Sequence, residues 1–172
     1  GAAARRYCSY HRKVDEASGG SALGLFDAVL VMQEAGRTLF SGPVAEALVS
    51  ARILASAGQA GEAPLTALMA GQAVVTIALN DAASMPMQWV AGGAVADHVI
   101  VRDGDALYLV APTAAERQVV VNLASTPMAQ IKLDGTDRTL LANGPDAIAA
   151  FEAGLEEWKL LVAAMLSGIS LE

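Results

Sequence analysis

Trp89 is the first candidate for a binding site. It stands shortly before a glycine pair in the segment QWVAGGAVADHVIVRDGDALYLV at residues 88–110. A flat aromatic side chain at the head of a β segment can pack into the core, or it can form the wall of a site for a planar ligand. The Gly92–Gly93 pair predicts a turn or bulge, because no helix amino terminus follows to complete a phosphate site. Nearby, Met85 and Met87 are interpreted as gap-filling core residues.

The titratable residues offer little acid–base chemistry. His98 alternates with apolar residues on a predicted strand and is interpreted as a surface or interface histidine. Asp97 is interpreted as structural, pairing with Arg102 or with a neighbouring loop. Glu156 and Glu157 form a carboxylate pair, but their positions opposite the apolar face of a predicted helix indicate solvated charges. No residue is assigned a catalytic role.

Composition excludes several classes of protein and site. The 172 residues carry a formal net charge of -7, which disfavours binding to nucleic acid, and the basic residues that cluster are confined to a short amino-terminal stretch ending at Lys13. Charged residues interrupt every apolar window, so no membrane span is predicted. One cysteine and two histidines favour neither a disulfide nor a metal site. We expect a cytoplasmic protein.

Hydrophobic spacing divides the chain into three predicted regions, at residues 1–70, 71–143 and 144–172. The first region is helical: one helix ends near Gly36, a second runs from a cap at Ser41 to Gly58, and a short third helix runs from Pro64 to Ala70. Residues 58–62 are predicted to be a linker.

The middle region changes to strand chemistry. Six β-branched or alternating runs are separated by turn residues: AVVTIAL, HVIV, ALYLV, QVVVNL, AQIKL and RTLLA. Asp103-Gly104 between two of these runs predicts a hairpin. The fold class is therefore α+β, with a helical amino-terminal region and a small antiparallel β-barrel or sandwich in the middle.

The last region predicts one long helix over residues 146–170. Apolar residues recur there at steps of three and four, from Ile148 to Ile169. Because the earlier helices can cover only part of this length, we expect the helix to open an incomplete bundle and to mediate a homo- or hetero-oligomer.

Several phrases of the sequence together resemble the acyl-CoA dehydrogenase family of flavoproteins. LGLFDAVLVMQEAGRTLFSGPVAEALVSARILASAG is similar to the late amino-terminal helices of the family, and GQAVVTIALNDA stands where its middle domain begins. QWVAGGAVADHVIV is similar to the tryptophan strand and the phrase that follows it, and EWKLLVAAMLSGISLE resembles the first carboxy-terminal helix. The resemblance covers most of residues 20–172.

The resemblance implies an enzyme that binds FAD and oxidises the Cα–Cβ bond of an acyl-CoA thioester, with a fatty acid or steroid side chain as the acyl group. The matching positions imply that Leu79, Asn80, Asp81, Trp89 and Ala91 contact the cofactor. Asn80 and Asp81 would do so through backbone N–H groups.

Departures from the family pattern keep two alternatives open. The Thr-Glu-Pro element of the family corresponds here to Asn80-Asp81-Ala82, its Gly-Ser-Asp segment has no counterpart, and Ala91 replaces a threonine. We expect the catalytic carboxylate to lie outside this chain. One alternative is a non-catalytic partner subunit that has lost its flavin contacts, and the other is a β-barrel binding module without a redox role.

Overall fold

The computed structural model describes residues 24–134 and 137–171. The basic amino-terminal stretch lies outside the described residues. Within them the helices are α1 (Leu25–Arg37), α2 (Val44–Ser56), α3 (Gln59–Met69) and α4 (Pro145–Ser170). The strands are β1 (Val75–Ile77), β2 (Met87–Val90), β3 (His98–Asp103), β4 (Ala106–Val110), β5 (Arg117–Val119), β6 (Ala129–Lys132) and β7 (Arg138–Asn143). A 3-10 helix, Ala114–Glu116, precedes β5.

The helices follow the predicted order, but the linker at residues 58–62 is wrong. Gly58 has a φ of 61°, and this conformation lets α3 begin at once, at Gln59. A side chain at Gly61 would overlap the carbonyl of Leu54, so α2 and α3 pack closely directly after the turn. Pro64 lies inside α3 instead of starting it.

The seven strands form two sheets. The larger sheet has the order β1-β3-β4-β7, and the smaller has the order β2-β6-β5. All pairs are antiparallel except β1 and β3, which are parallel, with Val75 opposite His98. The prediction of an α+β fold is confirmed. The strands form two sheets, so the barrel of the predicted barrel or sandwich is not confirmed, and the parallel pair departs from the predicted antiparallel arrangement. The parallel pair arises because the chain leaves the larger sheet after β1, forms β2 in the smaller sheet, and then returns.

The larger sheet lies between the helices and the smaller sheet. One of its faces, with Ile77, Ile100 and Leu107, shares a buried core with all four helices. Its other face, with Val99 and Val101, packs against the smaller sheet in a second core. Alternation along β3 therefore supplies both cores.

Helix α4 is covered by its own chain more than the sequence predicts. Phe151 and Leu161 are each only 1% exposed and pack in the core with α1 and α2. The backbones of α1 and α4 meet at Gly36 and Gly168, where a side chain on either glycine would overlap a carbonyl of the other helix. Exposed apolar side chains remain at Leu160, Leu166 and Ile169.

Two polar contacts join α4 to α2. The indole Nε1 of Trp158 donates to Oε1 of the buried Glu46 at 2.8 Å. Glu157 forms an ion pair with Arg52, and their side chains are 13% and 20% exposed. Glu157 is therefore not the predicted solvated charge, because α2 places a guanidinium over it. Glu156 is exposed, as predicted.

None of the helices in the described part of the chain combines the length and apolar character that a membrane crossing needs.

Candidate functional site

Strand β2 presents Trp89 on the outer face of the smaller sheet. Side chains alternate along this strand, so Gln88 and Val90 are buried while Met87 and Trp89 are 47% and 52% exposed. The interpretation of Trp89 as a core residue is therefore wrong, and so is that of Met87 and of Met85, which is 46% exposed. The outer face offers a planar ligand an accessible aromatic side chain.

A loop at residues 80–85 is fastened to β2 by the buried side chain of Gln88. Its Nε2 donates to the carbonyls of Asn80 at 2.9 Å and Met85 at 2.8 Å. Its Oε1 accepts the N–H of Asn80 at 3.0 Å. Gln88 thus brings Asn80 and Asp81 beside the strand that carries Trp89. Sequence reasoning missed this residue, because a glutamine between two large apolar side chains is typical of the exposed face of a strand.

The hydrogen bonds of this loop limit what Asn80 and Asp81 can offer a ligand. The N–H of Asn80 is already bonded to Gln88, so the predicted role of this group requires Gln88 to release it. The Asp81 carboxylate accepts the N–H groups of Ala83 at 2.9 Å and Gly104 at 3.0 Å, and it faces Arg102 at 3.7 Å. Among residues 24–134 and 137–171, the N–H of Asp81 has no acceptor.

The other two residues predicted to contact the cofactor are Ala91, which follows Trp89 and Val90, and Leu79, which precedes the loop. Ala91 follows β2, and its carbonyl accepts the hydroxyl of the buried Thr76 at 2.6 Å. Gly92 has a φ of 73°, and a Cβ there would lie 2.8 Å from Cβ of Pro43, so the predicted turn is confirmed. The side chain of Leu79 packs against the helical core, which leaves its backbone as the part available to a ligand.

Cross-strand register adds polar neighbours to Trp89 on the outer face. Gln130 of β6 lies directly opposite Trp89, and Gln118 of β5 lies directly opposite Gln130. Lys132 is opposite Met87 in the next row. These residues share one face because opposed residues on neighbouring strands point the same way.

Two carboxylates lie near Lys132. Oδ1 of Asp134 is 3.8 Å from its Nζ. The backbone N–H and hydroxyl of Thr113 both donate to Glu116 at 2.8 Å, and these bonds, with a smaller contribution from Lys132, lower the pKa of the Glu116 carboxyl. Lys132 already has two carboxylates beside it, so this end of the face is not a strong site for an anion.

The remaining candidate residues make contacts that stabilise the fold. Asp97 accepts the N–H of Val74 in the loop before β1 at 2.8 Å, so the predicted structural role with a neighbouring loop is confirmed, whereas the alternative pairing with Arg102 is wrong. Arg102 instead bridges Asp81 and Glu152 of α4. His98 is half-buried at the start of β3. In the part of the chain that the structure describes, no three His, Cys, Asp or Glu side chains are grouped as metal ligands would be.

Replacing Gln88 by leucine is expected to lower the free energy of unfolding by about 2 kcal/mol, because three backbone groups of the loop lose their partner. Urea denaturation measures the change. Gln118→Leu is the matched control: this exposed residue makes no hydrogen bond within the described chain, so a change within about 0.5 kcal/mol is expected. Equal effects of the two substitutions would show that Gln88 does not hold the loop.

No protein-family profile and no curated protein matches the sequence. Two solved structures are similar in fold. The ChsE4–ChsE5 complex from Mycobacterium tuberculosis matches with a TM-score of 0.62 and 20% identity, over 82% of this chain and 46% of the matched chain. A variant of the steroid ACAD Tcur3481–Tcur3483 matches with a TM-score of 0.70 and 23% identity, over 91% of this chain and 49% of the matched chain.

This chain spans about half the length of either matched chain. ACAD denotes an acyl-CoA dehydrogenase, and the similarity extends over helices and both sheets alike, since it covers 91% of this chain. The described chain has the fold of part of an acyl-CoA dehydrogenase, which is the fold that the resemblance in its sequence predicts.

Proposed function

We propose that this chain is a subunit of an acyl-CoA dehydrogenase that binds FAD on the outer face of its smaller sheet. The observation that carries the proposal is the half-exposed indole of Trp89 on a flat sheet face, beside a loop that Gln88 fixes in place. An accessible indole of this kind stacks well on a planar ring.

The groups around Trp89 fit the isoalloxazine ring of FAD. The carboxamides of Gln130 and Gln118 share the sheet face with Trp89, and the N–H of Asp81 has no acceptor among the described residues. FAD, when bound here, would supply the redox chemistry of the reaction, which is the acceptance of a hydride from Cβ of the acyl thioester. The contribution of this chain is to bind and orient the ring and to exclude water from one of its faces.

The base that removes the α-proton is proposed to come from outside the described residues. Within them, two carboxylates near the sheet are already engaged: Asp81 accepts two backbone N–H groups, and Glu116 accepts two hydrogen bonds from Thr113. The hydrogen bonds from Thr113 lower the pKa of the Glu116 carboxyl, which makes it a weak base.

The two similar structures favour a substrate and an assembly for the proposal. One of them is a steroid ACAD, and both names join two different chains. We therefore propose a steroid acyl-CoA thioester as the substrate and a hetero-oligomer as the working form, with the exposed apolar residues of α4 in the subunit contact.

A second candidate function is that of a non-catalytic partner subunit. Two observations favour it: the N–H of Asn80 is occupied by Gln88, and Ala91 has no hydroxyl to offer a flavin. This subunit would keep the scaffold and support the flavin site of a different chain.

Flavin binding separates these two functions. The purified chain is expected to bind FAD, and Trp89→Ala is expected to weaken binding by roughly tenfold, the effect of losing one stacked aromatic ring. Isothermal calorimetry and visible absorbance of the bound flavin measure this. Trp158→Phe is the control, because Trp158 contacts Glu46 between helices. A chain that binds no FAD but assembles with a flavin-containing homologue would support the partner subunit.

A further inference from the structure

We propose that the free edge of β5 is an interface at which a second copy of this chain pairs in the antiparallel direction. The smaller sheet has the order β2-β6-β5, so β5 is an edge strand that pairs only with β6 within the described chain. The interface consists of residues 117–123 and does not involve α4. It therefore goes beyond the proposed function and does not depend on flavin binding.

The backbone of β5 presents unpaired hydrogen-bonding groups at this edge. The N–H of Val120 donates to the carbonyl of Met128 at 3.3 Å, on the side of β6. Because the backbone groups of successive residues in a strand point to opposite edges, the N–H and carbonyl of Val119 point away from β6. Among residues 24–134 and 137–171, neither group has a hydrogen-bond partner. The groups that satisfy such an edge are those of another extended strand.

Apolar side chains stand exposed along the same segment. Val119 is 60% exposed, and Val121 and Leu123, which follow it, are fully exposed. The turn beyond them is fixed by Asn122, whose Nδ2 donates to the carbonyl of Thr126 at 2.8 Å and whose Oδ1 accepts the N–H of Thr126 at 3.1 Å. This turn leaves the apolar side chains facing solvent, and a paired strand would cover them.

The absence of charge along this edge favours a second copy as the occupant. The net charge of -7 makes two copies repel each other over most of their surfaces. No charged residue stands between Arg117 and Lys132 in the sequence, so the edge from β5 through the turn is neutral. The guanidinium of Arg117 donates to the carbonyls of Ala94 and Ala96, so it is held against its own chain. β5 thus lacks the free charge that commonly protects an edge strand from pairing.

Antiparallel pairing about a two-fold axis makes this edge complementary to itself. With the axis at Val120, Val119 of one copy lies opposite Val121 of the other, and the reverse pair follows by symmetry. Each of these pairs exchanges main-chain hydrogen bonds, because both residues point outward from their own sheets. The valine side chains of the two copies then share one face, and the two smaller sheets become one continuous sheet.

Sedimentation velocity of the purified chain at increasing concentration tests the interface. An edge of this size buries little area, so we expect a dimer with a dissociation constant on the order of 10–100 µM. Val121→Lys is expected to raise this constant by at least about tenfold, because it places an ammonium group within the apolar edge of each copy. Val121 is fully exposed, so the substitution leaves the fold intact, which circular dichroism checks.

Leu140→Lys is the matched control, because Leu140 is an exposed apolar residue on β7, which is an edge strand of the larger sheet. It is expected to leave the dissociation constant unchanged. A chain that stays monomeric up to about 500 µM would overturn the proposal. So would a dimer that dissociates with Leu166→Lys in α4 but persists with Val121→Lys. Failure of the chain to bind FAD would overturn the proposed function and leave this interface standing.

Hydrogen exchange locates the contact at single residues. The N–H of Val119 is expected to exchange about fivefold more slowly when most of the chain is dimeric, because it then donates to the other copy. The N–H of Val120 is the internal control, since it is already bonded to Met128 in the single chain. A dimer in which exchange at Val119 is independent of concentration would contradict pairing through β5.

Discussion

Gly168→Ala is expected to lower the free energy of unfolding by about 3 kcal/mol, because the added methyl group has no room between α1 and α4. The Cβ would overlap the carbonyl of Gln33 and lie 3.1 Å from the backbone nitrogen of Arg37. Both are main-chain atoms, so the two helices would have to separate. Gly36→Ala is expected to act in the same way through the carbonyl of Met165.

This expected loss of stability is opposite in sign to the effect of helix propensity alone. Alanine is favoured over glycine in a helix interior by about 1 kcal/mol, so the substitution would stabilise α4 if space were available. Gly154→Ala provides the matched control in the same helix. Its nearest neighbour would be Cδ1 of Ile53 at 3.0 Å, the movable tip of a side chain, and a change within about 1 kcal/mol is expected.

Urea denaturation of the three alanine variants measures these changes. A Gly168→Ala protein as stable as the unaltered chain would show that α1 and α4 do not approach as closely as the structure places them.

Arg52→Ala is expected to lower the free energy of unfolding by about 2 kcal/mol, because it leaves Glu157 largely buried without its partner. Removing one partner of a fully buried ion pair costs roughly 3–5 kcal/mol, and the 20% exposure of Arg52 reduces this figure. A double-mutant cycle with Glu157→Gln separates the interaction from the effects of each side chain alone.

The ion pair between Arg102 and Glu152 is the control for this second experiment. Glu152 is 61% exposed, so Glu152→Gln is expected to cost less than about 1 kcal/mol. A coupling energy near zero for Arg52 and Glu157 would contradict the buried contact between α2 and α4.

The sequence predicts the elements of this fold better than their arrangement. The runs HVIV, ALYLV, AQIKL and RTLLA all contain observed strands, since alternation and β-branching are local properties. The parallel pairing of β1 with β3 is not local: it depends on the chain visiting the smaller sheet between them. The six predicted strands also omit β2, because its four residues are too few to show a clear alternation of apolar and polar side chains.

The candidate site was predicted unevenly for a similar reason. The resemblance identified Trp89 because its phrase is distinctive, and the structure leaves this indole accessible. Gln130 lies 41 positions away in the chain, and only the register of β2 with β6 makes it a neighbour of Trp89. Likewise, the burial of Glu157 depends on the position of Arg52 in another helix. Such pairings are tertiary facts that hydrophobic spacing does not encode.

The pairing of β2 with β6 also has a consequence for how the chain reaches its native state. Met87 of β2 pairs with Lys132 of β6, and β3, β4 and β5 lie between these two strands in the sequence. The intervening chain therefore crosses to the larger sheet and back before the pair can form. Contacts so distant in sequence close slowly, because the intervening chain loses entropy before they form. We therefore expect the smaller sheet to form late during refolding, after the helices and the β3–β4 hairpin have acquired protection from hydrogen exchange.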